Sequence, residues 1–121
     1  FLVTGDSTGA ARSALTQGNI NYYSVIQNIL GLGRAQMKQH RVNFSHADSY
    51  VLVNSVLQNG NVSIDPSCKG LIFDLNHVKI VYVEEKMKIL KDRKDETRNA
   101  DYMDTFRYLC QTFRENFVKF F

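Results

Sequence analysis

Apolar and polar residues alternate in short blocks along this chain, and the blocks predict its elements. Phe1-Leu2-Val3 is an apolar run that ends on Thr4-Gly5-Asp6, which predicts a buried strand with Asp6 at its C-terminal tip. Residues 7–20 are small and polar and read as a loop. Asn21 can cap a helix from Tyr22 to about Leu30, with Tyr22, Ile26, Ile29 and Leu30 at helical spacing and Gly31 and Gly33 to end it. Residues 36–42 read as a polar, basic edge strand. Ser45 or His46 opens a second helix to about Gln58, with Ala47, Val51, Leu52, Ser55 and Val56 as its inner face and Asn59-Gly60 as its stop. Val62 and Ile64 alternate outward from that turn as a short strand that closes at Asp65-Pro66.

Ser67 then predicts the cap of a third helix, with Cys68, Leu71, Ile72 and Leu75 on one face. Val78–Val83 is β-branched and aromatic, a short strand or extended segment. Residues 84–98 hold most of the charge, with both signs mixed, and read as a solvated hairpin or loop rather than a nucleic-acid arm. A last helix runs from near Asn99 to about Phe117 on a stripe of Met103, Phe106, Leu109, Cys110, Phe113 and Phe117.

Composition narrows the class. The 121 residues, 44% hydrophobic and 22% charged, suit a single globular domain spanning 1–121 rather than a disordered chain. A net charge of +3 suits a phosphate-bearing partner without requiring one. No apolar run approaches the ~20 residues of a membrane span. Two cysteines, Cys68 and Cys110, in no CxxC pattern read as small packing residues of a reduced, intracellular protein.

Candidate chemistry sits at two places. In Thr4-Gly5-Asp6-Ser7-Thr8-Gly9 the glycines would let backbone approach a ligand, while Arg12 and Ser13 follow as donors. The plain alternative is a polar turn after a core strand. Asp101 and Asp104, three residues apart, share one face of the last helix's first turn; they either complement the helix dipole or bind metal.

The order of these signals resembles a known family. Gly5-Asp6-Ser7-Thr8-Gly9 precedes a helix after Asn21-Tyr22-Tyr23. Next come Asp48–Leu57 and then Asp65-Pro66-Ser67-Cys68-Lys69-Gly70-Leu71-Ile72-Phe73-Asp74-Leu75, which is the most specific match. An Asp-x-x-Asp-x-x-x-Tyr pattern from Asp101 to Tyr108 closes the series. This resembles the C-terminal nuclease domain of tailed-phage terminase large subunits, over nearly the whole chain. The resemblance implies an α/β, RNase H-like fold: a mixed sheet flanked by helices, here partial and lacking the N-terminal strand and hairpin. It implies metal-dependent endonuclease activity on double-stranded DNA by a two-metal mechanism with Mg²⁺ or Mn²⁺.

Carried over by position, Asp6 matches the family's second acid and Asp104 its third. Asp101 falls where many relatives carry His, which leaves a metal-linked role open. The first acid has no counterpart, so the resemblance expects it from an upstream segment or another chain, or expects an inactive fragment. Arg12, Ser13, Arg41 and Lys69 are the candidate DNA contacts. Implied partners are an upstream ATPase domain, a small terminase subunit and a portal, with self-association through the exposed first strand and no membrane. The implied setting is the cytoplasm of an infected or prophage-carrying bacterium. Two other readings compete: a non-catalytic docking module using Phe113, Phe117, Phe120 and Phe121, and a phosphate-binding α/β domain built on Gly5–Gly9.

Overall fold

The computed structural model describes residues 1–10, 20–59, 62–91 and 100–117. The chain is mixed α/β and forms two compact units, Phe1–Asn43 and Phe44–Phe121.

The first unit contains an extended N-terminal segment, a 3₁₀ turn at Ser7–Ala10, helix α1 (Tyr22–Leu30) and a second 3₁₀ turn at Arg34–Gln36. Helix α1 lies where its local signals place it. The Asn21 side chain accepts the Ser24 N–H at 3.0 Å and the Ser24 hydroxyl accepts the Asn21 N–H at 2.9 Å, a reciprocal capping box. Gly31 ends the helix in the left-handed region at φ 63°, where a Cβ would be strained. The strand predicted over Phe1–Asp6 is reduced to one parallel bridge, Val3 with Met37. The Val3 N–H donates to the Gln36 carbonyl at 2.9 Å and the Lys38 N–H donates to the Val3 carbonyl at 2.6 Å. The basic edge segment predicted at 36–42 is therefore the partner of Val3, but neither segment extends the ladder. Phe1 is 94% exposed, so the apolar run is not buried.

The second unit holds α2 (His46–Gln58), α3 (Lys69–His77), strands β1 (Lys79–Val83) and β2 (Lys86–Leu90), α4 (Asp101–Thr112) and α5 (Arg114–Phe117). Ser45 caps α2 by accepting the Asp48 N–H at 3.1 Å. The buried face of α2 is Ser49, Val53 and Val56, whereas Val51 points to solvent at 63% exposure. The predicted inner face was thus rotated: Val56 belongs to it and Val51 does not. The 62–64 segment forms no strand, although Val62 packs on the core. Cys68, not Ser67, occupies the cap position of α3 and makes no side-chain capping bond. Asp65 organises that turn instead, accepting the Ser67 N–H at 2.8 Å.

Strands β1 and β2 pair antiparallel across Glu84-Glu85, both at positive φ (50° and 62°), the backbone that a tight two-residue hairpin turn requires. The charged stretch thus begins as a hairpin, and its continuation over 92–98 lies outside the described residues. The predicted long last helix ends at Thr112, with Phe113 in the turn before α5.

The core is Val53, Val56, Phe106 and Cys110, flanked by Leu52, Val62, Leu71, Leu75 and Met103. Leu109 belongs to the predicted stripe yet is 38% exposed. Gly70 allows α3 and α4 to approach, because a Cβ there would lie 2.5 Å from the Tyr102 ring. No helix among the described residues is long and apolar enough to cross a membrane.

The two thiols differ. Cys110 is fully buried, and burial pushes its pKa up to about 12, whereas Cys68 is exposed. Only the thiolate reacts with alkylating reagents. Iodoacetamide at neutral pH should therefore add one label to the native chain, at Cys68, and a second at Cys110 only after denaturation; intact mass spectrometry reads both.

Candidate functional site

Asp6 sits at the end of the extended segment and is half-buried. Its carboxylate Oδ1 accepts the Thr8 N–H at 2.9 Å and the Asn43 amide N–H at 2.7 Å. The Asn43 carbonyl oxygen accepts the Ser7 N–H at 2.8 Å, so one amide fixes both Asp6 and the start of the 3₁₀ turn. The Tyr23 hydroxyl donates to the Asp6 backbone carbonyl at 2.6 Å, and burial followed by the Asp6 charge raises the Tyr23 pKa. A Cβ at Gly5 would lie 2.7 Å from the Tyr23 hydroxyl and one at Gly9 would lie 2.8 Å from its ring. The two glycines therefore make room for Tyr23, which takes the space that the phosphate-binding reading reserved for a ligand. Arg41 is exposed in the same unit, and Arg12 and Ser13 lie outside the described residues.

Asp104 lies in the second unit, in the first turn of α4. Its Oδ1 accepts from Arg107 Nε at 2.8 Å and its Oδ2 pairs with Lys91 Nζ. Arg107 is 5% exposed and spends its other nitrogens on the Ser49 hydroxyl at 3.3 Å and the Tyr108 hydroxyl at 3.2 Å, with its guanidinium 4.7 Å from the Tyr108 ring centroid. His46 Nδ1 accepts the Ile89 N–H at 2.9 Å, which places the imidazole proton on Nε2. Burial, then the charges of Arg107, Lys91 and Lys88, lower the His46 pKa against the opposing pull of Asp104. Asp101 is exposed one turn before Asp104, and Lys69 is exposed at the start of α3.

Two polar residues that shape these places carried no signal in the pattern. Asn43 follows a basic segment and looks like any loop amide. Asp74 is 4% exposed, and its Oδ2 accepts the Met103 N–H at 3.0 Å, capping α4 from another helix. Ala100 at the cap position of α4 offers no side-chain bond, so Asp74 supplies the missing acceptor. An acid inside the apolar run Leu71–Leu75 was the available clue.

The donor chemistry suits a hard divalent cation in kind. Both acids offer oxygens, Asp6 is oriented by N–H donors, and the Lys91 ammonium already stands as a cation on Asp104. Among the described residues no three His, Cys, Asp or Glu side chains gather into one metal-holding group. No protein-family model, curated protein or solved structure matches the chain.

Proposed function

We propose that the chain is a portion of a metal-dependent DNA endonuclease domain of the terminase large-subunit kind, RNase H-like in fold and acting in viral genome packaging. The observation that carries this reading is Asp6: a carboxylate at the tip of an extended segment, held in one orientation by the Thr8 N–H and the Asn43 amide. Such outer hydrogen bonds are what a metal-binding carboxylate needs to keep its geometry. Asp104 is the second ligand of the reading. Arg107 fixes its Oδ1, and Lys91 must leave Oδ2 before an ion can take that oxygen. Divalent ions bound to such carboxylates would supply an activated water and charge neutralisation at a phosphodiester.

Incubating supercoiled plasmid with the chain and Mn²⁺ tests the reading. Slow nicking should appear, disappear with EDTA, and fall at least tenfold in Asp6→Asn and in Asp104→Asn. Each change keeps the side chain's shape and removes its charge. Nicking without metal, or wild-type rates in both variants, would overturn the proposal.

A docking role is the second reading, and the observation that favours it is α1. Tyr22, Ile29 and Leu30 on that helix are 55%, 78% and 52% exposed. Of the phenylalanines that the docking reading uses, Phe113 is half-buried, and the side chains of Phe117, Phe120 and Phe121 lie outside the described residues. A chain that binds no Mn²⁺ would favour this role, whereas inertness toward plasmid alone would not, since the missing first acid also predicts it.

A further inference from the structure

Protein interiors pack closely, and voids larger than a water molecule are few. The Phe44–Phe121 unit holds a cavity of about 120 Å³ between α2 and the hairpin. Val53 of α2, Leu75 of α3, Met103 of α4 and the cross-strand pair Ile80 and Ile89 form its walls. The paired isoleucines share one face of the hairpin, so both strands turn apolar side chains to the space. The Ile89 N–H bond to His46 ties β2 to the first turn of α2, and the cavity lies further along that helix. Tyr50 and Leu57 stand where it meets solvent, 43% and 36% exposed.

One polar group reaches the cavity from its buried side. Ser49 lines it and is 2% exposed, and its oxygen accepts from Arg107 Nη1 at 3.3 Å. Among the described residues the Ser49 hydroxyl proton has no acceptor. A guanidinium bonded to the oxygen polarises that O–H and strengthens it as a donor. Asn54 lies on the outer wall and spends an amide N–H on the Tyr50 carbonyl at 2.9 Å. An ordered water wants about two to four polar partners, and this space offers one buried partner.

We infer that the cavity is a binding site for a small uncharged molecule, a ring of about six carbons with one acceptor oxygen that takes the Ser49 proton. The size follows from the volume, since a cavity of about 150 Å³ accommodates benzene. The oxygen follows from Ser49, which selects a ketone or ether over a hydrocarbon. Neutrality follows from the walls: no described lining residue carries a charge at neutral pH, and an unpaired charge is costly to bury. Neither Asp6 nor Asp104 lines the cavity, so the site stands whether or not the chain is a nuclease.

NMR of the full chain labelled with ¹³C at the methionine methyls tests the site, because Met103 lines the cavity and Met37 lies in the other unit. Cyclohexanone is the probe, and benzene is the ring without an acceptor. Cyclohexanone should shift the Met103 signal with half-saturation at about 1–10 mM and leave Met37 in place. Ser49→Ala, with its fold checked by circular dichroism, should weaken cyclohexanone binding about three- to tenfold and benzene binding less than twofold. A Met103 signal that never saturates, or that moves no more than that of Met37, overturns the site. Equal weakening of both probes by Ser49→Ala, or of neither, overturns the assignment of the acceptor oxygen to Ser49. The wild-type titration decides the site even where the variant loses its fold.

Discussion

Phe106→Ala should cost the Phe44–Phe121 unit about 3–5 kcal/mol, the usual range for truncating a buried aromatic. Phe106 is 6% exposed and packs with Val53, Val56 and Cys110, the centre on which α2, α3 and α4 converge. The fully buried side chains beside it, Val56 and Cys110, are small and leave most of the vacated volume unfilled. Whole domains are stable by only about 5–15 kcal/mol, so the loss should leave the unit close to unfolding at room temperature. Urea denaturation followed by circular dichroism checks this, with Leu109→Ala as the comparison. Leu109 lies three residues further along the same helix but is 38% exposed, and its truncation should cost less than about 1.5 kcal/mol. Equal losses in the two variants would mean that α4 buries a different face.

Arg107→Ala should be the most damaging single change among the polar residues, costing about 2–4 kcal/mol. Removing one member of a buried ion pair strands its partners in a poorly solvated place. Here the stranded groups are the Ser49 hydroxyl, 2% exposed as a residue, and Asp104 Oδ1. Arg107→Met should cost less, because it keeps volume over the Tyr108 ring. Arg107→Lys should fall between them, since an ammonium keeps the charge but loses the fork that reaches Asp104, Ser49 and Tyr108 together. The alanine change also has an electrostatic signature. Arg107 is the leading charge among those lowering the His46 pKa, so its loss should move the His46 titration upward, as followed by NMR of the imidazole protons. A His46 titration that does not move would separate the two groups and refute the shared electrostatics of this cluster.

Elements built from neighbouring residues were legible, and those built from distant ones were not. The α1 boundaries follow from Asn21, Ser24 and Gly31, all within the helix or one residue of it. The start of α2 at Ser45 and its end near Asn59 are local in the same way. A strand depends on a partner elsewhere in the chain. Phe1–Asp6 has the right composition but finds one bridging residue, Met37, and Val62–Ile64 has the right alternation and finds none among the described residues. The buried face of α2 is not legible from spacing because Val51 and Val53 look alike in sequence, and only contact with Phe106 and Cys110 decides between them. At the candidate site the acids were legible as residues, but their partners were not. Asn43 reaches Asp6 across 37 positions, and Asp74 reaches the start of α4 across 29. Spacing rules see only residues within a turn or two.

The placement of the two cysteines turns the second unit into its own timekeeper. Cys68 is exposed, so its modification needs no opening of the unit. Cys110 lies at the centre of the core, and a reagent can reach it only while the helices around it are apart. When reclosing outruns modification, the ratio of the two rates is the fraction of time the unit spends open, each factor of ten being worth about 1.4 kcal/mol. The chain thus carries a clock and a gate on the same polypeptide, and any ligand that favours the closed unit will slow one without touching the other.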